Sequence, residues 1–194
     1  STQLVRRAKL VETVIDLVGE VGPDAVQMRD VAERSGIALG TAYRYFASKE
    51  HLLAVALAEW QERLTRRVLH PGGSASPPGD PAEPVVAFLR RELRAFARAP
   101  QMGTLMVRMH VSTDPYVRDA LARMSAANAA VMRQLLADVE PETAQHLQAA
   151  LDALLMNCLV QWTTGRQTMA ESAARLDAVA RLILAPRCPA EPRA

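Results

Sequence analysis

Cysteines, aromatic residues and long apolar runs are all scarce in this chain. The 194 residues include two cysteines, and aromatic residues make up 4% of the total. Cys158 and Cys188 lie far apart without metal-ligand spacing, so we expect Cys158 to be a buried free thiol in a reducing cytoplasm. No run of about 18 uncharged apolar residues occurs, and the N-terminus lacks the apolar segment of a signal peptide, so no membrane partner is expected.

The chain also has little excess charge, with 23 Lys or Arg against 21 Asp or Glu and a net charge of +2. Any binding of nucleic acid must therefore depend on where the cations lie, because bulk charge does not favour it. The sequence contains no nucleophile–base pair, no paired carboxylates and no glycine-rich phosphate loop, and His110 has no partner at metal-ligand spacing. It therefore predicts no catalytic residue, no metal, no cofactor and no enzyme activity.

Helix-forming residues are abundant, and 49% of the chain is apolar. No alternating strand pattern appears, so the sequence predicts an all-α fold. Proline, glycine and serine fill the segment PGGSASPPGDPAEP (71–84), which predicts a flexible linker between two parts. About nine helices are expected, at residues 3–20, 28–35, 39–46, 49–69, 82–98, 102–111, 115–138, 142–164 and 169–184.

Several helix ends carry recognisable capping residues. Ser48, Asp114 and Thr168 are suited to the N-cap position, and Thr168 with Glu171 forms a capping-box pattern. Gly165 suits the position after the end of a helix, where positive φ is required. The first helix is expected to bury one apolar stripe, formed by Leu4, Ala8, Val11, Ile15 and Val18.

The segment MRDVAERSGIALGTAYRYF (28–46) has the pattern of a helix-turn-helix. Ala32 provides a small residue where two helices cross, Gly36 allows positive φ in the turn, and Ala42 packs the second helix back onto the first. An ordinary helical hairpin inside a bundle would show the same spacing. The residues expected on the outside of the second helix favour DNA binding over that alternative.

No acidic residue occurs between Gly36 and Lys49, although a solvated helix usually carries some. Thr41 and Tyr43 can donate to phosphates, and Arg44 can reach a guanine. Lys49 opens the next helix, where a cation opposes the helix dipole, so a phosphate contact explains it better than helix stabilisation. Each residue has a plainer explanation too: Arg44 and Lys49 as ordinary surface cations, and Tyr45 as a half-buried core residue.

The segment VAERSGIALGTAYRYFASKEHLL (31–53) resembles the N-terminal signature of the TetR (tetracycline-repressor) family of bacterial transcription factors. It is similar to that of the actinobacterial repressors of steroid and cholesterol catabolism. Ala42 departs from the family pattern, which has Leu or Ile there. The resemblance implies a double-stranded DNA operator as partner and, together with Arg44, a set of DNA-contacting residues: Arg29, Leu39, Gly40, Thr41, Tyr43, Tyr45 and Lys49.

The resemblance also implies a homodimer that forms through the last two helices. The segment AALDALLMNCLVQW (149–162) is apolar nearly all round, as in a helix that is buried on several sides, although a monomer could bury both helices internally. A symmetric pair would read a pseudo-palindromic operator, with half-sites about 34–36 Å apart for one helical turn. The interface is expected to contain Leu151, Leu155, Leu159, Leu176, Val179, Ala180 and Ile183.

Methionines recur along one central helix at positions 102, 106 and 109, and further methionines lie on the expected neighbouring helices. A stripe of this kind is often plain core, but flexible methionines also suit a pocket for a small lipophilic effector. A sterol-type molecule or a fatty acyl thioester would fit such a pocket. The candidate lining residues are Leu89, Leu93, Phe96, Met102, Met106, Met109, Met124, Asn128, Met132, Met156, Asn157 and Trp162.

Together these features predict a ligand-responsive homodimeric repressor. Its parts are a helix-turn-helix domain (1–48), a connecting helix (49–70), the linker (71–84) and a ligand-binding and dimerisation domain (85–186). The effector is expected to push on the connecting helix and so to separate the two DNA-binding domains. The alternatives are an activator, a regulator that binds DNA only together with a co-repressor, and a lipid-binding helical bundle without DNA binding.

Overall fold

The computed structural model describes residues 2–69 and 82–185. These residues form helices without any strand, which confirms the all-α prediction. The helices are α1 (Thr2–Val21), α2 (Met28–Ser35), α3 (Leu39–Tyr45), α4 (Lys49–Leu69), α5 (Glu83–Arg98), α6 (Pro100–His110), α7 (Pro115–Leu135), α8 (Pro141–Thr163) and α9 (Met169–Leu184).

The predicted caps form as the sequence indicates. The Ser48 hydroxyl accepts from the His51 amide at 3.0 Å, and the Asp114 carboxylate accepts from the Tyr116 amide at 2.8 Å. Thr168 and Glu171 make the full capping box, so three helices begin where a side chain satisfies their first amides. Gly165 follows α8 with φ +71°.

The predicted linker needs a correction at its C-terminal end. Its first eleven residues, 71–81, lie outside the described residues, but Glu83 and Pro84 belong to the first turn of α5. Proline is tolerated there because the amide that it lacks would have no partner within the helix. The same reason places the start of α6 at Pro100, two residues before the predicted Met102.

The N-terminal unit, α1 to α3, packs around a small apolar core. The buried stripe of α1 consists of Leu10, Val11, Val14, Leu17 and Val18, which meet Val31, Ile37 and Phe46. The predicted stripe of α1 was wrong at its start, because Leu4 and Ala8 are exposed. The first two turns of α1 extend beyond the core, so the helical spacing of apolar residues there does not indicate burial.

The C-terminal unit consists of α5 to α9, and α4 joins the two units. The helix α4 packs along α7 and α1 and also touches α5 and α6, while α9 packs on α5 and α8. The largest side chains of the C-terminal core are fully buried, among them Phe96, Leu89, Leu93, Leu105, Met109, Met132 and Leu151. Within the described ranges, no helix combines the length and apolar character that a membrane span needs.

Specific polar contacts hold the N-terminal unit against α6 and α7. Arg108 of α6 pairs with Asp24, in the loop after α1, and with Glu50 at the start of α4. The Ser48 hydroxyl lies 3.0 Å from the Asp114 carboxylate, and the His51 ring stacks on Tyr116 with centroids 4.8 Å apart. The start of α4 is therefore connected to both α6 and α7.

Candidate nucleic-acid interface and effector cavity

The turn between α2 and α3 is built by Gly36, which has φ +64°. A side chain is strained at this φ, so glycine is the residue that suits the position. The Ile37 amide then donates to the Ala32 carbonyl at 3.1 Å, which fixes the direction in which α3 leaves the turn. Ala42 is fully buried at the centre of α3, so this face of α3 is held against α1 and α2.

The opposite face of α3 is open to solvent. Gly40, Tyr43 and Arg44 are exposed, and Thr41 is half-buried. The Arg44 guanidinium donates to the Thr41 hydroxyl at 3.2 Å, so the two side chains lie side by side on this face. The face thus combines a cation with two hydroxyl groups and carries no acid, and this combination suits phosphate and base contacts.

The remaining predicted DNA-contacting residues differ in their exposure. Arg29 is exposed in the first turn of α2. Leu39 and Tyr45 are half-buried and pack against the core, so only part of each side chain can reach a partner. The Lys49 ammonium donates to the Asp24 carbonyl at 3.0 Å, and this bond ties the start of α4 to the loop after α1.

A cavity of about 90 Å³, which we call the inner cavity, lies between α4, α5, α6, α7 and α8. Its apolar wall includes Phe96, Met106, Met124, Leu155, Met156 and Leu159. Its polar lining consists of Gln61, Glu92, His110, Ser125, Asn128 and Asp152. A second cavity of about 320 Å³, the outer cavity, lies beside it between α4 and α7 and shares Gln61, Met124 and Asn128 with it.

Glu92 is the most perturbed acid of the described chain. Its side chain is 4% exposed, and burial, together with the charge of Asp152, raises its pKa to about 8. Gln61 is equally buried and donates its amide Nε2 to Glu92 Oε1 at 2.6 Å. Near neutral pH the Glu92 carboxyl is therefore mostly protonated. No donor among the described residues reaches Gln61 Oε1, which is also buried.

The predicted pocket residues divide into three groups. Phe96, Met106, Met124, Asn128 and Met156 line the inner cavity. Leu89, Leu93, Met102, Met109 and Met132 are core residues outside its lining, as the plainer explanation of the methionine stripe allowed. Asn157 is exposed on α8, because the residue after Met156 is rotated away from the cavity, and Trp162 packs against Gly103.

Sequence reasoning missed the polar groups that distinguish the inner cavity, chiefly Gln61, Glu92 and Asp152. A usable signal was present for Glu92, which lies four residues after Phe88 and four before Phe96 on the buried stripe of α5. A charged residue within an apolar stripe indicates a special environment, because burying a charge is costly. Gln61 likewise follows the buried Leu57 by one helical turn.

The predicted dimer residues are mostly turned inward. Leu151, Leu155, Leu159, Leu176 and Ala180 are at most 9% exposed within a single chain, and Leu155 and Leu159 line the inner cavity. Of the predicted set, only Val179 and Ile183 remain partly open. The open side of α8 and α9 is formed by other residues, namely Ala150, Ala153, Leu154, Asn157, Val160, Gln161 and Leu182.

A metal site was not expected, and the described ranges contain no cluster of three or more His, Cys, Asp or Glu side chains that could hold a metal ion. Cys158 is buried as a free thiol, and its sulfur lies 3.5 Å from the Ser172 carbonyl. This contact joins α8 to α9 inside the core, so the thiol serves packing.

Comparison with known proteins identifies relatives that match nearly the whole chain. Residues 10–56 match the family described as bacterial regulatory proteins, tetR family. The HTH-type transcriptional repressor KstR of Rhodococcus jostii is 34% identical over 186 residues, which make up 95% of this chain and 85% of that protein. KstR of Mycobacterium tuberculosis is 28% identical over 183 residues, or 94% of this chain and 82% of that protein.

Solved structures share the whole fold. A TetR transcriptional regulator from Rhodococcus sp. RHA1 superposes with a TM-score of 0.81 at 26% identity, covering 95% of this chain and 98% of that one. FadR from Bacillus subtilis, in complex with stearoyl-CoA, superposes with a TM-score of 0.70 at 14% identity, covering 92% and 97%. At that identity, the likeness to FadR concerns the fold alone.

Proposed function

Because the chain belongs to the TetR family of bacterial transcriptional regulators, we propose that it represses transcription as a homodimer on a pseudo-palindromic operator and leaves the operator when a small lipophilic effector binds. It is a DNA-binding regulator and not an enzyme. The observation that carries the proposal is the acid-free outer face of α3, held outward by the buried Ala42 and the Gly36 turn.

In this proposal, α3 enters the major groove of each half-site. Arg44 and Thr41 read base edges, while Tyr43, Tyr45, Arg29 and Lys49 contact phosphates. Leu39 and Gly40 allow close approach because neither presents a charge or a long polar side chain. The bond between Arg44 and Thr41 supports this assignment, since it limits the rotamers of Arg44 before DNA arrives.

The effector enters the inner cavity, where methionines and Phe96 form an adaptable apolar wall. Sterol-type molecules and fatty acyl thioesters remain the candidate classes. The related KstR proteins are repressors, which supports repression, and the apolar wall of the inner cavity supports a lipophilic effector.

Helix α6 provides a path from the inner cavity to the DNA-binding face. Met106 and His110 line the cavity from α6, and Arg108 of the same helix pairs with Asp24 and Glu50. An effector that shifts α6 would therefore act on the N-terminal unit through Arg108. A near-complete switch requires differential binding of about 5.5 kcal/mol between the two states.

The homodimer is proposed to form through the open side of α8 and α9, in place of the inward-facing leucines. Leu182 is 76% exposed, and Leu154, Val160, Val179 and Ile183 are partly exposed on the same two helices. Small residues at 150 and 153 would let two copies of α8 approach each other closely. A four-helix interface between two copies would cover these side chains.

Selection of random DNA duplexes on the purified protein, at two salt concentrations, tests the proposed function. We expect enrichment of a pseudo-palindromic site whose affinity falls steeply with salt, because several phosphates are neutralised. Leu182→Glu is expected to weaken binding to the enriched site and to give monomers in size-exclusion chromatography. Arg133→Ala, an exposed change on α7, is the matched control and is expected to bind as the unchanged protein does.

Two results would contradict the proposal. Absence of enrichment at both salt concentrations, with and without added cell metabolites, would favour a lipid-binding bundle that does not bind DNA. Enrichment only when metabolites are present would point to an activator or a co-repressor-dependent regulator.

A further inference from the structure

The inner cavity has a polar end that selects one kind of chemical group. We propose that this end binds a hydroxyl group on an otherwise apolar molecule, with Glu92 donating to the hydroxyl oxygen and Gln61 Oε1 accepting its hydrogen. The inference rests on the proposed function only in that the effector occupies this cavity.

The buried side chain of Gln61 leaves one hydrogen-bond acceptor without a partner among the described residues. Gln61 is 1% exposed, and its Nε2 already donates to Glu92 at 2.6 Å, so the orientation of the amide group is fixed by this bond. Its Oε1 has no donor among the described residues, although a buried acceptor without a partner costs about 1–3 kcal/mol. A guest that carries an O–H group removes this cost.

Glu92 provides a donor beside this acceptor. Burial raises the pKa of Glu92 to about 8, so near neutral pH its carboxyl group carries a proton that it can donate. Its Oε1 is engaged by Gln61, so the guest faces one donor and one acceptor side by side. A hydroxyl group is both a donor and an acceptor and satisfies both, whereas a ketone satisfies the donor alone.

The lining of the inner cavity disfavours anionic groups at this end. Among the residues that line the inner cavity, none is lysine or arginine, and Asp152 adds a second acid near Glu92. A carboxylate or phosphate at this end would meet two acidic groups without a lysine or arginine to balance it. A molecule with an anionic group would have to place that group away from Glu92.

The cavity size sets the scale of the group. About 90 Å³ holds a short chain end or the hydroxyl-bearing edge of a ring, since benzene fills a cavity of about 150 Å³, and the rest of a ring would extend toward the outer cavity of about 320 Å³ beside it. The hydroxyl-bearing end of a larger apolar molecule therefore occupies the inner cavity. A hydroxylated alicyclic ring matches both the wall and the polar end.

Methyl NMR of the full chain tests the proposal, because Met106, Met124 and Met156 line the inner cavity. The protein, labelled at its methionine methyl groups, is titrated with cyclohexanol, cyclohexanone, cyclohexane, cyclohexylamine and cyclohexanecarboxylate. We expect cyclohexanol to shift these three methyl signals and to bind about tenfold more tightly than cyclohexanone, the value of one good hydrogen bond. Met28, buried in the N-terminal unit, is the internal control and is expected not to shift.

Two variants identify the groups involved. Gln61→Leu removes the acceptor, so the ratio of the two dissociation constants is expected to fall from about ten to near one. Glu92→Gln keeps a donor and is expected to change cyclohexanol binding by no more than about threefold. Gln145→Leu, an exposed change on α8, serves as the matched control, and circular dichroism checks that each variant is folded.

Three results would overturn the proposal: cyclohexanone binding as tightly as cyclohexanol, cyclohexylamine binding most tightly with loss in Glu92→Gln, or no probe shifting the three methyl signals. Operator binding is measured separately by fluorescence anisotropy. Loss of hydroxyl selectivity with intact operator binding rejects this inference alone, whereas selective alcohol binding without any operator affinity rejects the proposed function alone.

Discussion

The outer face of α3 and the inner cavity both carry polar side chains, but those on α3 are exposed to solvent and those in the cavity are buried. On α3, Tyr43 is 50% exposed and Arg44 is open to solvent, so the free protein leaves these groups hydrated. In the inner cavity, Gln61 and Glu92 are 1% and 4% exposed. The exposed set can therefore change without a large effect on folding, whereas changes in the buried set alter stability, and loss of the Gln61 acceptor also alters ligand preference.

The largest effect is expected on the free energy of unfolding, in the variant Glu92→Gln. The pKa of Glu92 is raised from 4.5 in the unfolded chain to about 8 in the folded one, so the folded state holds the proton more strongly and loses stability as pH rises from 4.5 to 8. Glutamine has no such dependence and keeps the bond with Gln61. We expect the variant to be more stable by about 2–4 kcal/mol at pH 7 and nearly unchanged at pH 4.5.

Chemical denaturation at a series of pH values measures this difference. Glu33→Gln, at an exposed position on α2, provides the matched control and is expected to differ little from the unchanged protein at any pH. If the advantage of Glu92→Gln were independent of pH, Glu92 would not be a protonated buried acid.

A smaller effect, on operator binding alone, is expected from Arg44→Ala. Loss of a bidentate base contact costs about 1–3 kcal/mol, or roughly 5- to 150-fold in affinity. Since Arg44 is exposed, the free energy of unfolding is expected to stay within about 0.5 kcal/mol of its original value. Fluorescence anisotropy with the enriched duplex measures the operator affinity, and thermal unfolding measures the stability. Equal affinity for the operator would remove Arg44 from the interface.

The smallest effect on stability is expected from a change at Arg108, on the helix α6 that links the inner cavity to the N-terminal unit. Arg108→Met removes the ion pairs with Asp24 and Glu50, and because Asp24 is 86% exposed we expect a loss of only about 1 kcal/mol in stability. Amide exchange in the loop at 22–27 is expected to become faster, and release by an effector to become weaker. Arg118→Met on α7 is the exposed control. Unchanged exchange in the loop would show that Arg108 does not couple α6 to the N-terminal unit.

The sequence predicted the helices well because capping and turn residues lie at their ends. Bounds agree fully where Ser48 or Thr168 supplies a cap, and Gly36 marked the turn of the helix-turn-helix. The outer face of α3 was predictable for a related reason: an acid-free helix face beside a buried alanine is a local pattern. These features need only residues close in the sequence.

The cavity and the dimer surface were harder to predict, since both depend on residues far apart in the chain. Gln61 and Glu92 lie 31 residues apart and meet only because α4 crosses α5. The apolar residues of α8 indicated burial, but an apolar pattern does not say whether a helix is buried by its own chain or by a second one. Leu151 and Leu159 are buried by their own chain, so the predicted interface residues face inward.

The most direct test of the central claim, that two copies read one symmetric operator, is a change in the spacing of its half-sites. Insertion of about five base pairs at the centre of the enriched duplex rotates the half-sites by half a turn, whereas about ten base pairs restores their alignment. Anisotropy titrations are predicted to show a loss of at least about 30-fold for the shorter insertion, because only one half-site can then be bound at a time. Equal affinity for the original and the five-base-pair duplex would contradict the account.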